Sequence, residues 1–243
     1  MLAIAPVPRL WQEQTKTYHQ IRSLSMIDYK QAREAMVDCQ VRPSDVTKYP
    51  IIAAMLDIPR EAFVPEDKKQ IAYIGEHIAL SKKRMLLDAR VFAKMLDVAN
   101  IRDDELVLDV ACGMGYSTAV LAKMAEAVIG VEDDPELANA AASALTDHGY
   151  DNAVIVSALP ATGAPKHGPY NVIMLQGAFE VFPNSLASQL KEDGRVIGLQ
   201  VKDGVCFCTS GTKSNGKISW RHEFDATAPV LEGFEKAREF TFA

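Results

Sequence analysis

Hydrophobic positions along the chain change their period near residue 105. Ahead of that point the spacing is helical. Ile27, Ala32, Ala35 and Met36 mark a short helix within residues 26–41, which must end before Pro43 because the residue preceding a proline is pushed out of the helical region. A second helix is expected over residues 47–56, with Thr47 as its cap, Pro50 in the tolerant first turn and Pro59 just past its end. Asp88 caps a third, whose apolar face is Val91, Phe92, Met95, Leu96 and Ala99. From Leu106 onward, short apolar runs alternate with helical stretches. Residues 106–110, 127–131, 153–156, 171–175 and 195–199 read as buried strands. Residues 116–124 read as a helix, as do 135–148, opened by Asp134-Pro135 and stopped at His148-Gly149; Pro183 opens one more. This alternation predicts a parallel sheet covered on both faces. In the tail, residues 205–210 and 218–224 flank Lys213-Ser214-Asn215-Gly216, a hairpin turn.

The expected architecture is therefore α/β: a mostly parallel, doubly wound sheet forming one domain over residues 26–243. Residues 26–100 make a helical N-terminal cap, 101–200 the core, and 201–243 a C-terminal antiparallel hairpin and tail. Residues 1–25 read as a loosely attached extension. Their apolar part, residues 2–7, contains Pro6 and follows no basic residue, which argues against a signal peptide and makes Met26 a candidate start. The 48% apolar and 24% charged composition excludes a disordered, collagenous or coiled-coil chain. With 26 basic against 32 acidic residues, a dedicated nucleic-acid binder is not expected. The longest charge-free apolar stretches, residues 154–165 and 168–179, are too short to span a membrane and carry Pro and Gly. Cys39, Cys112, Cys206 and Cys208 form no C-x-x-C pair, and the five histidines are scattered; neither a disulfide framework nor a metal site is expected, and unpaired cysteines suit a cytoplasmic protein.

The chemistry concentrates in Val107-Leu108-Asp109-Val110-Ala111-Cys112-Gly113-Met114-Gly115-Tyr116. A strand feeding a glycine-rich turn and then a helix brings backbone N–H groups to the carboxyl edge of the sheet, where ligands of open α/β sheets bind. At the end of the next strand stand Glu132 and Asp133, with Glu132 nineteen positions after Gly113, where an acid can accept both ribose hydroxyls of a nucleoside. A dinucleotide fingerprint would need a third glycine or alanine where Thr118 stands. The turn resembles instead the D/E-x-G-x-G-x-G of S-adenosylmethionine (SAM) methyltransferases, with Ala111 in place of the first glycine. Lys82, Lys83 and Arg84 read as solvated charges, Cys112 as a buried small residue, and Cys206 and Cys208 as core-facing neighbours on one strand face. His77 carries no assigned role.

Four ordered segments within residues 36–197 resemble the protein-L-isoaspartate O-methyltransferase family: residues 36–42, like its opening helix; Pro59-Arg60-Glu61-Ala62-Phe63-Val64-Pro65 followed by Ala72-Tyr73; the turn and helix over residues 107–122; and Pro183 to Arg195, with Leu186, Gln189, Leu190 and Gly194 in the family's spacing. The resemblance implies a Rossmann-like SAM-dependent methyltransferase fold and, as activity, methylation of the free carboxylate of L-isoaspartyl residues in damaged proteins for repair. It also implies that Asp109, Ala111, Gly113, Gly115 and Tyr116 line the cofactor, with Glu132 on the ribose beside Asp133. Three departures stand out. Where the family has its active-site Ser or Thr, this chain has Met85-Leu86-Leu87-Asp88-Ala89, with Ser81 the nearest hydroxyl. The acid that faces the adenine is missing from residues 157–160, and Asn171 replaces the aspartate that opens strand four. A methyltransferase with another acceptor, or a non-catalytic binding module that kept the fold, are the alternatives these departures raise.

Overall fold

In the computed structural model, which describes residues 27–237, the region ahead of the sheet is helical as its periodicity predicts. Helix α1 spans Tyr29–Met36, capped by Asp28, which accepts the Gln31 amide, and runs on through a wide turn over Val37–Val41. Helix α2 spans Tyr49–Asp57. Its cap is Lys48, not the expected Thr47: the Lys48 carbonyl accepts the Ile51 and Ile52 amides, and Pro50 occupies a first-turn site whose missing N–H has no partner to lose. A small antiparallel hairpin of β1 (Ile78–Ala79) and β2 (Met85–Leu86) precedes α3 (Ala89–Ala99). Asp88 caps α3 as expected, accepting the Arg90 amide at 2.7 Å. The expectations for residues 1–25 and Met26 fall outside the described residues.

The sheet elements follow: β3 (Leu106–Val110), α4 (Tyr116–Ala122), β4 (Ala127–Glu132), α5 (Pro135–Asp147), β5 (Ala153–Ser157), β6 (Tyr170–Phe179), α6 (Asn184–Gln189), β7 (Leu190–Lys202), β8 (Val205–Ser214) and β9 (Lys217–Asp225). Their spatial order is β5-β4-β3-β6-β7-β8-β9, with the first five parallel and the last two antiparallel. Strands β6 and β7 run beyond their expected limits of 171–175 and 195–199, keeping their pairing through register shifts between Tyr170 and Val172 and between Met174 and Ala178. Asn215-Gly216 closes the expected hairpin with both residues left-handed, at φ 51° and 72°, as a two-residue turn of this hand requires. Asp203-Gly204, at φ 51° and 80°, makes a second such turn between β7 and β8. The tail is thus continuous with the main sheet.

Alternation along the strands divides the core in two. Val107, Val128 and Val172 face the helices of the cap together with α4 and α5. Leu108, Val110, Ile129 and Val131 face the other side, which Leu186 of α6, Tyr170, Leu231 and Phe234 cover. Each buried aliphatic side chain contributes about 1.5–3 kcal/mol. Helices this short are marginal in water alone, so that packing is what holds them. Among the described residues no helix is long and apolar enough to cross a membrane.

Candidate active site

The chain must reverse direction between the end of β3 and the start of α4, and it does so with three left-handed residues: Ala111 (φ 61°), Gly113 (φ 57°) and Gly115 (φ 90°). Glycine adopts that conformation freely, whereas for alanine it costs about 1–2 kcal/mol. The Cys112 amide donates to the Val131 carbonyl at 3.1 Å and the Gly115 amide to the Cys112 carbonyl at 3.0 Å, tying the turn to β4. Under the turn lies Asp109, wholly buried. Ser117 Oγ and Thr118 Oγ1 donate to its Oδ2 at 2.6 and 2.7 Å, and Gln176 Nε2 to its Oδ1 at 2.7 Å. Burial pushes this carboxyl up to about 6; the three hydrogen bonds oppose the rise and the nearby Glu132 charge adds to it. Thr118, at the position of a dinucleotide fingerprint's third glycine, is here a ligand of Asp109.

Glu132 ends β4 with no exposed surface. The Gly113 amide donates to its Oε2 at 2.9 Å, and the Asp133 and Asp134 amides to its Oε1 at 3.0 and 3.1 Å. The remaining capacity is taken by a guanidinium. Arg84 Nε lies 2.9 and 3.0 Å from the two carboxylate oxygens, Nη2 donates to Asp133 Oδ1, and Nη1 to the Lys83 carbonyl at 3.0 Å. Burial pushes the Glu132 carboxyl above its ordinary range, against the pull of Arg84 and the backbone donors. Arg84 was expected among solvated charges; its side chain is 2% exposed, because the acids at the end of β4 draw it inward. Removing one partner of such a buried pair costs about 3–5 kcal/mol, so the pairing decides what else can bind here.

Arg84 arrives at Glu132 from the β1–β2 hairpin, whose tip is a tight turn: the Arg84 carbonyl accepts the Leu80 amide at 2.8 Å and the Ser81 amide at 3.2 Å. Leu80, at the other side of the tip, presses its Cδ1 to 2.5 Å from where a Cβ on Gly113 would stand. Glycine at 113 is thus required by Leu80 as well as by φ. Against the outer side of the tip lies a cavity of about 350 Å³, lined by Ser81, Lys82, Lys83, Arg84, Leu87 and Gln176 and closed by a strap over residues 228–235. Arg60, fully buried in the Pro59–Pro65 segment, donates Nη2 to the Leu87 carbonyl at 2.6 Å and Nε to the Ala72 carbonyl at 2.7 Å, and its guanidinium stacks 4.8 Å over the Tyr116 ring.

The structure gathers Asp109, Ala111, Gly113, Gly115, Tyr116 and Glu132 around the turn between β3 and α4, but buries all six, and none lines the cavity. Tyr116 packs against Phe63 and Phe92. Asp133, partly exposed, borders a shallower cleft with Lys83, Arg84 and residues 134–136. Burial pushes the Cys112 thiol well up, aided by the Asp109 and Glu132 charges, which makes it a poor nucleophile. His77 stands apart, accepting the Asp88 amide at Nδ1 and contacting the Thr227 carbonyl at 2.6 Å through Nε2. Asn171 Oδ1 accepts the Leu106 amide and Lys191 Nζ, replacing an aspartate in a structural role. Sequence reasoning missed Leu80, Arg84 and Gln176. They meet the turn across 33, 48 and 67 positions of chain (Leu80 to Gly113, Arg84 to Glu132, Gln176 to Asp109), beyond any local pattern.

A mostly parallel sheet with a left-handed glycine turn after β3 and an acid ending β4 defines the Rossmann-like methyltransferase fold. The family model described as Protein-L-isoaspartate(D-aspartate) O-methyltransferase matches residues 31–223, and the chain belongs to that family. A protein-L-isoaspartate O-methyltransferase of Opitutus terrae is 33% identical over 186 residues, 76% of this chain and 80% of its own; one of Gloeobacter violaceus is 35% identical over 171 residues, 69% and 83%. Among solved structures, a protein-L-isoaspartate O-methyltransferase superposes with a TM-score of 0.74 at 21% identity, over 83% of this chain and 66% of that one. A Plasmodium falciparum chain described as such an enzyme in complex with S-adenosyl-L-homocysteine superposes at 0.71 and 22% identity, over 85% of this chain and 99% of its own. These two likenesses share the fold.

A nucleoside at this turn needs free oxygens on Glu132 and open space above Gly113. The donor and acceptor types are right, but Arg84 saturates the one and Leu80 fills the other. As placed, the residues do not fit the cofactor.

Proposed function

We propose that this protein transfers a methyl group from SAM to the free carboxylate of L-isoaspartyl residues in damaged proteins, the reaction its family name describes. The observation that carries the reading is the delivery of the Glu132 carboxylate to within 2.9 Å of the Gly113 amide, at neighbouring strand ends of this family's frame. The acceptor is anionic at neutral pH and needs no general base. What it needs is alignment, which supplies up to about 7–11 kcal/mol in favourable intramolecular cases. The 350 Å³ cavity is bordered by Lys82, Lys83 and Arg84 and by Glu232 and Glu235; with Lys83 paired to Glu232 and Arg84 to Glu132, Lys82 is the cation there that can meet a carboxylate. Leu87 brings no hydroxyl there, and Ser81, whose Oγ accepts the Lys83 amide at 3.2 Å, is the hydroxyl on the same wall. A cytoplasmic setting belongs to this reading and is supported by four free cysteines.

A second reading, a binding module that kept the fold without catalysis, is favoured by the Arg84–Glu132 pair itself. Incubation with methyl-labelled SAM and an isoaspartyl peptide decides between them. A base-labile methyl ester on the peptide is the expected result; label no higher than the enzyme-free blank overturns the catalytic reading.

A further inference from the structure

We propose that Arg84 is a positioning residue that exchanges partners: it holds Glu132 while the site is closed, and turns to the acceptor's carboxylate when a nucleoside diol takes Glu132. The inference rests on the reading of Glu132 as the nucleoside carboxylate.

Three observations point to it. Arg84 makes its buried bonds to the one carboxylate the cofactor needs, so guanidinium and diol exclude one another. The hairpin that carries it has a ladder of only two residue pairs, Ile78↔Leu86 and Ala79↔Met85; Ile78, Leu80 and Leu86 are buried, but the tip between them is fastened on the outside by an exposed Lys83–Glu232 ion pair, a weak restraint. Finally, Arg84 already borders both the cleft at Asp133 and the cavity at Leu87, so leaving Glu132 requires no journey through the core. In that cavity a guanidinium meets a carboxylate in a fork geometry that a leucine at 87 cannot offer. No bond is made or broken in the exchange; two hydrogen-bond partners change places. Cofactor and acceptor binding become linked, each favouring the state in which Arg84 is off Glu132.

The test is the Arg84→Gln substitution, measured by calorimetric titration with S-adenosylhomocysteine and by initial rates with an isoaspartyl peptide. Expected is S-adenosylhomocysteine binding at least tenfold tighter than in the unsubstituted protein, with a peptide KM at least tenfold higher and a smaller fall in kcat. Opposite shifts of the two ligands are not produced by simple loosening of the fold. Unchanged S-adenosylhomocysteine affinity overturns the exchange while leaving the Glu132 site standing. Tighter cofactor binding with an unchanged KM overturns it too, reducing Arg84 to a plug. Absence of binding by either protein removes the Glu132 site itself. Should Arg84→Gln fail to fold, limited trypsinolysis of the unsubstituted protein serves: saturating S-adenosylhomocysteine should speed cleavage after Lys82, Lys83 and Arg84, and protection of those bonds overturns the proposal.

Discussion

Replacing Asp109 by Asn tests whether the acid beneath the glycine turn is held against its preference for water. Burial pushes its carboxyl up to about 6 from an ordinary 3.8. The difference of about 2 units corresponds to roughly 3 kcal/mol at about 1.4 kcal/mol per unit. The direction follows from proton counting. Between pH 4 and 6 the folded state keeps a proton that the unfolded state has lost, so stability falls as pH rises through this window and levels off above it. Asparagine fits the site, because the Ser117 and Thr118 hydroxyls that now donate can turn and accept from its amide, while Gln176 still finds an oxygen. Urea unfolding at half-unit steps from pH 4 to 7.5 should show Asp109→Asn gaining on the unsubstituted protein by about 3 kcal/mol across the window, nearly all of it between pH 4 and 6. Parallel stability curves for the two proteins would refute the burial argument.

Two further expectations concern backbone. Ala111→Gly removes a left-handed alanine; the relief of about 1–2 kcal/mol, less about 0.5–1 for glycine's freedom in the unfolded chain, should leave the protein about 0–1.5 kcal/mol more stable in urea, and a clear loss of stability would contradict the strain. In Gly177→Ala the new Cβ would stand 2.6 and 2.8 Å from Leu231 Cδ2 and Cγ. That overlap should cost about 1–3 kcal/mol and pull Leu231 from the Ala178 carbonyl it donates to at 2.8 Å; unchanged hydrogen exchange at the Leu231 amide would count against it.

The strands of the parallel sheet were legible because they are short apolar runs bounded by turn chemistry, and the turn at Asn215-Gly216 because its residues tolerate positive φ. Strand β7 was cut short in the sequence, where only residues 195–199 read as strand, yet Leu190 pairs with Tyr170 ahead of a bulge. The β1–β2 hairpin was invisible, since two residues per strand cannot show alternation. The glycine turn and Glu132 were legible as a pair; what they touch was not. Charge triplets are solvated by default, and only the two acids at the end of β4, Glu132 and Asp133, brought to it in space make Arg84 an exception.

The hairpin that bears Leu80 and Arg84 has a consequence for how such a protein changes over time. Its ladder has two pairs; Ile78, Leu80, Arg84 and Leu86 are buried, whereas Ala79, Lys82 and Lys83 face outward. Substitutions at Lys82 and Lys83 leave the core and the buried Arg84–Glu132 pair in place while altering the wall of the cavity. Chemistry on that wall can change without renegotiating the core, and Met85-Leu86-Leu87, where this chain departs from its family's pattern, lies on the same stretch of chain.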